Sequence, residues 1–143
     1  MRLLVPLDLS SATERVLATA IKLSRAMHAQ VWLLHVAAPE PDFVGYGAGS
    51  PTVRDQVAQE HREEHRQLQA HGQALRDLGV DCTALLIQGP TVDTILREAR
   101  RLEIELIIMA THGHGAVFDL IVGSVSHDVL RHAQVPVVMV PVK

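Results

Sequence analysis

The sequence predicts an α/β fold in which five parallel strands form one open sheet with helices on both faces. Two observations predict it. Short apolar runs alternate along the chain with longer segments in which apolar residues recur at helical spacing. The apolar runs are also nearly continuous, which is typical of parallel strands that are buried on both faces.

Each predicted strand is followed by a helix or by the end of the chain. The predicted strands span 2–7, 30–36, 80–87, 105–110 and 135–142, and the predicted helices span 12–28, 52–78, a segment after 89–91, and 124–132. Ser11 and Glu14 form a capping-box pattern at the start of the first helix. Gly79 is expected to end the second helix, whose polar first half is expected to project into solvent. The proline- and glycine-rich segment 37–51 is predicted to be a loop.

Composition indicates one globular domain over 1–143. A chain of 143 residues can bury a full core, and its formal net charge of -3 argues against a dedicated nucleic-acid binder. The short apolar run before Pro6 predicts neither a signal peptide nor a membrane span. Cys82 is the only cysteine, so no disulfide forms within the chain; it is expected to be a core residue, and a reducing cytoplasm is the expected compartment.

The predicted sheet indicates where a ligand would bind. In open sheets of this kind, ligands bind beyond the carboxyl ends of the strands, where the strand order reverses. Two strand ends carry suitable residues, at Pro6, Leu7 and Asp8 and at 109–113.

The segment 111–126 carries the most informative pattern, THGHGAVFDLIVGSVS. Gly113 and Gly115 permit close approach of a ligand to the backbone. Gly123 and Ser124 stand at a predicted helix start, where free amides and the positive end of the helix dipole favour an anion. The alternative is that Gly123 forms a turn and Ser124 caps the helix without any ligand.

Gly113, nine intervening residues and then Gly123 and Ser124 resemble the ATP-binding signature of the universal stress protein family. The family pattern is Gly-x2-Gly-x9-Gly-[Ser/Thr], and Ala110 replaces its first glycine. The segments PLDLS at 6–10, HV at 35–36, GP at 89–90 and GSVSHDVLRHAQVPVVMVPV at 123–142 are also similar to the family, so the resemblance spans essentially the whole chain.

The resemblance implies a Rossmann-like sheet with strand order 3-2-1-4-5, as in adenine nucleotide alpha hydrolases, and an ATP site, with Mg²⁺ bound together with the nucleotide. The adenosine end would lie near Asp8 and Val36, beside Pro6 and Leu7, with Met109 and Ala110 in the middle. The phosphate end would be formed by Gly113, His114, Gly123, Ser124, Val125 and Ser126. Asp8 could instead be only a cap for the first helix. Ala110 adds one methyl group, which would narrow the site without closing it.

The chain lacks the residues that phosphoryl transfer needs. It contains no Gly-x4-Gly-Lys-[Ser/Thr] loop, and its two lysines, Lys22 and Lys143, are distant in sequence from the glycines. Without a cationic clamp beside the glycines, the transition state would receive little electrostatic stabilisation. The sequence therefore predicts binding rather than efficient catalysis, with weak hydrolysis as a lesser alternative. The resemblance implies that this binding serves a stress-response or signalling role. His112 and His114 could contact phosphate or could be solvated loop residues.

The sequence HREEH at 61–65 matches the His-x-x-Glu-His motif of a class of zinc proteases. The chain is much shorter than such proteases, and the surrounding helix is too polar to line a buried cleft. The interpretation is a solvated helix face, and no metal ligand is assigned.

The last predicted strand, 135–142, is apolar and would leave an exposed edge on a monomer. The resemblance implies a homodimer that pairs through this strand, whereas Pro136 and Pro141 could simply protect the edge. An alternative function is a dimeric interaction module that has lost tight nucleotide binding. No nucleic-acid or membrane partner is expected.

Overall fold

The computed structural model describes residues 1–39, 51–112 and 122–142. Strands and helices alternate through them as predicted. The elements are β1 (Arg2–Pro6), α1 (Thr13–Met27), β2 (Gln30–Ala37), α2 (Pro51–Asp77), β3 (Cys82–Gln88), α3 (Thr91–Arg101), β4 (Leu106–Ala110), α4 (Ser124–His132) and β5 (Val137–Val140). Among these helices, none combines the length and the hydrophobicity needed to cross a lipid bilayer.

The five strands form one parallel sheet in the order β3-β2-β1-β4-β5, which confirms the predicted fold class and strand order. β1 occupies the centre, with Leu3 opposite Val31 of β2 on one side and Leu106 of β4 on the other. The strand order reverses between β1 and β4. Their carboxyl ends therefore form the crevice in which such sheets bind ligands.

The sheet has a hydrophobic core on each face. On one face, Leu3, Val5 and Leu33 pack with Val16 of α1 and Leu68 of α2. On the other face, the strands pack against α3 and α4, and the buried residues there are Leu4, Leu34, Ile95, Ala99, Ile104, Ile107, Met109 and Val129. Consecutive side chains of each strand point to opposite faces of the sheet, so both faces carry apolar residues. Helices cover both faces for this reason.

The long helix α2 packs mainly through its second half. Leu68 and Leu75 are buried, whereas most of the residues at 52–67 are exposed, as the polar sequence predicts. Gly79 has φ of 82° and donates its N–H to the carbonyl oxygen of Arg76, so it ends α2 in the left-handed conformation that glycine adopts readily. Of the predicted loop 37–51, residues 40–50 lie outside the described part of the chain.

The predicted capping box of Ser11 and Glu14 is wrong. α1 begins at Thr13, and its N-cap is Ala12, which has no side-chain oxygen to accept a hydrogen bond. Ser10 forms the turn instead, since its hydroxyl oxygen accepts from the N–H of Ala12 at 3.2 Å and its carbonyl oxygen accepts from the N–H of Thr13 at 3.1 Å.

β5 is shorter than the predicted strand 135–142. It covers Val137–Val140 and is flanked by Pro136 and Pro141. Each proline lacks an N–H donor, so regular pairing with β4 stops at these positions.

Candidate functional site

The carboxyl ends of β1 and β2 bring together the residues predicted for the adenosine end. Pro6 is paired with Leu34 in the parallel register, and the N–H of Leu7 donates to the carbonyl oxygen of Leu34 at 2.8 Å. Continuing this register places Asp8 beside Val36. Asp8 is half-buried, and its Oδ1 accepts from the N–H of Ser10 at 3.0 Å, which shapes the turn before α1.

The end of β4 lies next to the end of β1. The pairing of Leu4 with Ile107, continued along both strands, brings Ala110 level with Leu7. Ala110 is half-buried, whereas Met109 is only 5% exposed and packs in the core beneath α3 and α4. The side chain of Met109 is therefore packed in the core, and its backbone is the part that is placed to line a ligand site. The methyl group of Ala110 points to the opposite face of the sheet from the Met109 side chain.

α4 begins at this same edge. Its N-cap is Gly123, which has φ of -70° and ψ of 165° and donates its N–H to the carbonyl oxygen of Thr111 at 2.6 Å. Within residues 1–39, 51–112 and 122–142, no side chain caps the helix. The first intrahelical bond runs from the N–H of His127 to the carbonyl oxygen of Gly123. The amides of Ser124, Val125 and Ser126 therefore form the first turn, in which N–H groups have no helical acceptor.

The two serines of this turn differ in environment. Ser124 is exposed, whereas Ser126 is 5% exposed and its hydroxyl donates to the carbonyl oxygen of Ala110 at 2.7 Å. The hydroxyl proton of Ser126 thus holds α4 against β4. Ser126 would therefore contribute to an anion site through its backbone N–H rather than through its hydroxyl.

Part of the predicted phosphate end lies outside the described residues. This applies to Gly113, His114 and Gly115. His112 is described, and its Nδ1 lies 2.9 Å from the hydroxyl oxygen of Thr111. The structure therefore defines the amide donors of α4 and the two strand ends that flank them.

One cationic side chain that the sequence did not indicate reaches this edge of the sheet. Arg15, in the first turns of α1, donates from its Nη1 to the carbonyl oxygen of Pro141 at 3.2 Å, just beyond β5. Pro141 is adjacent to Val140, whose carbonyl oxygen accepts from the N–H of Thr111. A guanidinium therefore lies near the end of β5, where it bonds to Pro141.

The residues of the zinc-protease pattern on α2 lie in different surroundings. His61 Nδ1 lies 3.0 Å from the side-chain nitrogen of Gln88, His65 is exposed, and Glu64 contacts His35. Across the described ranges, no three His, Cys, Asp or Glu side chains are placed to hold a metal ion.

His35 is a site-adjacent residue to which the sequence assigned no role. It is 8% exposed, and its ring lies between the carbonyl oxygen of Leu7, 2.7 Å from Nδ1, and Oε2 of Glu64, 2.5 Å from Nε2. A histidine in an otherwise apolar strand signals that a buried partner must exist. Its partner on α2 is 29 residues away, so local pattern could not identify it.

A cavity lies at the other end of the strands, away from their carboxyl ends. This cavity of about 490 Å³ lies near the amino ends of the strands, where Arg2, Arg25, His28 and Asp81 contribute to its lining. Arg2 is paired with Glu103, and Arg25 donates to the carbonyl oxygen of Leu78. Parallel sheets bind ligands at the carboxyl edge, so this cavity is not assigned to the site.

Comparison with known proteins places this geometry in a family. The model of the Universal stress protein family matches residues 1–141. A curated relative, a universal stress protein of Thermus aquaticus named for its position in the QAH/OAS sulfhydrylase 3' region, is 30% identical over 138 residues, covering 96% of each chain.

Solved structures share the fold. Universal stress protein UspA from Lactobacillus plantarum superposes with a TM-score of 0.85 at 21% identity, covering 98% of this chain and 97% of its own. A universal stress protein from Archaeoglobus fulgidus, solved in complex with dAMP, superposes with a TM-score of 0.69 at 24% identity, covering 98% and 97%.

Proposed function

The chain belongs to the universal stress protein family, and on that basis we propose that it binds an adenine nucleotide, ATP with Mg²⁺, at the carboxyl ends of β1 and β4. The bound nucleotide would control a stress-response or signalling role, with the whole of 1–143 acting as one nucleotide-binding domain. The observation that carries the proposal is the start of α4 at the point of strand reversal, where no side chain among the described residues caps the helix.

The phosphate end of the proposed site is built from backbone donors. The amides of Ser124, Val125 and Ser126 lie at the positive end of the α4 dipole, and the hydroxyl of Ser124 is exposed. Gly123 has no side chain between these amides and a ligand. Gly113 joins this end of the proposal through its match to the second glycine of the family signature, and His114 joins it as the neighbouring residue that could contact phosphate.

The nucleoside end of the proposed site lies at the ends of β1 and β2. The carboxylate of Asp8 can accept a hydrogen bond from a ribose hydroxyl, while the backbone next to Val36 can bind the base edge. Pro6 and Leu7 lead the chain into this position. The backbone of Met109 and the methyl group of Ala110 would lie between the two ends.

Support for an adenine ligand comes from a structural neighbour, the Archaeoglobus fulgidus protein, which was solved with dAMP. Mg²⁺ is proposed to bind through the phosphate oxygens and water. This suits a magnesium ion, which commonly keeps several waters and uses substrate phosphates as ligands.

We propose binding without efficient turnover. Phosphoryl transfer needs cationic groups that neutralise the developing charge and a residue that orients the attacking water. Arg15 is bonded to the carbonyl oxygen of Pro141, and Lys22 lies on α1, beyond its first two turns. Neither contacts the α4 amides within the described part of the chain.

We further propose a homodimer that pairs through the segment 135–142. β5 is at the edge of the sheet, and the carbonyl oxygens of Pro136 and Val140 face β4. Because backbone groups alternate along a strand, those of Val137 and Met139 point outward and can pair with a second copy. The buried thiol of Cys82 needs no oxidising compartment, which suits the cytoplasm.

Calorimetry of the purified protein tests the nucleotide proposal. ATP, ADP, AMP and cyclic AMP are titrated with and without Mg²⁺, and thermal shift is measured in parallel. Saturable heat with ATP and Mg²⁺, together with turnover at background, is expected. No heat and no shift with any of the four would reject the proposal in favour of the dimeric interaction module. Steady ATP turnover would instead identify an enzyme.

A further inference from the structure

The ring of His35 connects the nucleoside end of the site with α2. His35 is on β2, on the same face of the sheet as Val31 and Leu33, and α2 packs over that face through Leu68. Three groups meet there: the backbone carbonyl of Leu7, the imidazole of His35 and the carboxylate of Glu64. We call this arrangement the His35 bridge.

One end of the His35 bridge fixes the backbone next to Asp8. The carbonyl oxygen of Leu7 can only accept, so Nδ1 of His35, 2.7 Å away, must carry a proton. Leu7 is also held through its N–H, which donates to Leu34. The residue that immediately precedes the proposed nucleoside-binding carboxylate is therefore held at both of its backbone polar groups.

The other end of the bridge requires a second proton. Nε2 of His35 lies 2.5 Å from Oε2 of Glu64. With Nδ1 protonated, this contact is a hydrogen bond only if Nε2 also carries a proton or if Glu64 is a carboxylic acid. If that proton leaves, a nitrogen lone pair faces a carboxylate and the contact becomes repulsive.

Other titratable groups on the elements around this end do not replace Glu64. They include Asp8 after β1 and Glu14 on α1, and the thiol of β3, Cys82, lies at the opposite end of its strand. On α2 the charged and titratable neighbours of Glu64 are Glu60, His61, Arg62, Glu63, His65 and Arg66. Among the residues described, Glu64 is the one whose side chain bonds to Nε2.

We propose that His35 is a positioning residue for the nucleotide site. Through the His35 bridge, it holds Leu7 and Asp8 in place and ties them to α2 when the bridge carries its second proton. Nucleotide affinity is then coupled to that proton and to the seating of α2 on the sheet. This inference rests on the proposed function.

The substitution Glu64→Gln tests the role of the second proton while keeping the side chains of the bridge in place. The amide of glutamine can donate to the unprotonated Nε2 while Nδ1 still donates to Leu7, so the bridge survives without the second proton. Glu63→Gln is the matched control, because Glu63 is the neighbouring carboxylate and pairs with Arg66 rather than with His35.

Affinity for ATP with Mg²⁺ is measured at intervals from about pH 6 to about pH 9. The dissociation constant of the wild type is divided by that of Glu64→Gln at each pH. Titration of the nucleotide and of other histidines affects both proteins equally and therefore drops out of this ratio. This ratio should rise about tenfold with pH, as expected for loss of a charge-assisted hydrogen bond. The ratio of wild type to Glu63→Gln should stay constant. A wild-type to Glu64→Gln ratio that is flat with pH would overturn the inference.

Hydrogen exchange of the protein without nucleotide gives a second readout. The amides of 57–66 on α2 should lose protection as the pH rises, relative to Glu64→Gln, after correction for intrinsic exchange rates. Equal protection in the two proteins at every pH would reject the His35 bridge even if nucleotide binds. Absence of nucleotide binding in the wild type at every pH would instead reject the proposed function, and the positioning role with it.

Discussion

The hydroxyl of Ser126 donates to the carbonyl oxygen of Ala110 at 2.7 Å, so the first turn of α4 is anchored to the end of β4. This bond joins the helix that presents the amides to the strand that flanks the site. It also occurs at the position where the family signature has glycine and this chain has alanine. The bond uses the backbone of Ala110, so the methyl group does not prevent it.

Replacing Ser126 with alanine should lower the free energy of unfolding by about 1 kcal/mol, because the half-buried Ala110 loses the hydroxyl donor to its carbonyl oxygen. Urea unfolding monitored by circular dichroism measures the change. Ser124→Ala is the control, since Ser124 is exposed and its removal should leave stability nearly unchanged. Equal effects of the two substitutions would contradict an anchoring role for Ser126.

Replacing Gly123 with valine should reduce affinity for ATP with Mg²⁺ at least about tenfold, a loss comparable to one good hydrogen bond to a charged group. A Cβ at Gly123 would lie 3.4 Å from the carbonyl oxygen of Thr111 and 3.7 Å from Cα of His112, which are ordinary contacts. The extended backbone of Gly123 also suits a branched residue. The fold should therefore tolerate valine, while the added methyl groups hinder a phosphate from approaching the helix amides.

Calorimetry measures the affinity of Gly123→Val, and thermal unfolding confirms that the variant is folded. Gly123→Ala should give a smaller loss, because it adds a single methyl group. Wild-type affinity in a folded Gly123→Val protein would place the phosphates elsewhere.

Replacing Met139 with proline should convert the proposed dimer to a monomer. The backbone N–H of Met139 points away from β4, so its removal leaves the β4 ladder intact but deletes a donor at the outer edge. Light scattering coupled to size-exclusion chromatography reports the mass. A dimeric variant with wild-type stability would show that the copies associate through another surface.

Cys82 should make stability decrease in alkaline solution. Burial raises the pKa of its thiol from 9.0 to about 11, against a smaller opposing effect of the Arg76 charge. The folded chain therefore retains a proton that the unfolded chain releases. This contribution to stability is complete below about pH 9 and is lost as the pH rises through about 11.

Urea unfolding from about pH 8 to about pH 10 measures how the free energy of unfolding depends on pH. Cys82→Ala is the reference, because lysine and tyrosine side chains titrate equally in both proteins. The free energy of unfolding should fall more steeply in the wild type. Parallel pH profiles would indicate that the thiol ionises as readily in the folded state as in the unfolded chain.

The fold was predictable because its main signals are local. Apolar runs identified all five strands, and Gly79 ended α2 as expected. The errors concern features that depend on neighbouring groups. Ser11 and Glu14 fit a capping box in sequence, but the turn made by Asp8 and Ser10 moves the helix start beyond Ser11.

The candidate site could be outlined from the sequence, but its contacts could not. The resemblance pointed to the start of α4, yet it could not show that the Ser126 hydroxyl bonds to Ala110 or that Met109 is in the core. Arg15 and Glu64 are on helices remote in sequence from the partners that they contact. Such long-range pairs depend on how the helices pack, which spacing along one segment does not encode.

The central position of β1 has a consequence for how the chain assembles. The paired residues of β1 and β2 are separated by 28 positions in the sequence, from Leu3 to Val31. Those of β1 and β4 are separated by 103 positions, from Leu3 to Leu106. Because closing a longer loop costs more chain entropy, we expect the half that contains β1, β2 and β3 to form before β4 and β5 dock. A nucleotide bound between Asp8 and α4 would join both halves. It would then slow their separation and lengthen the lifetime of the native state.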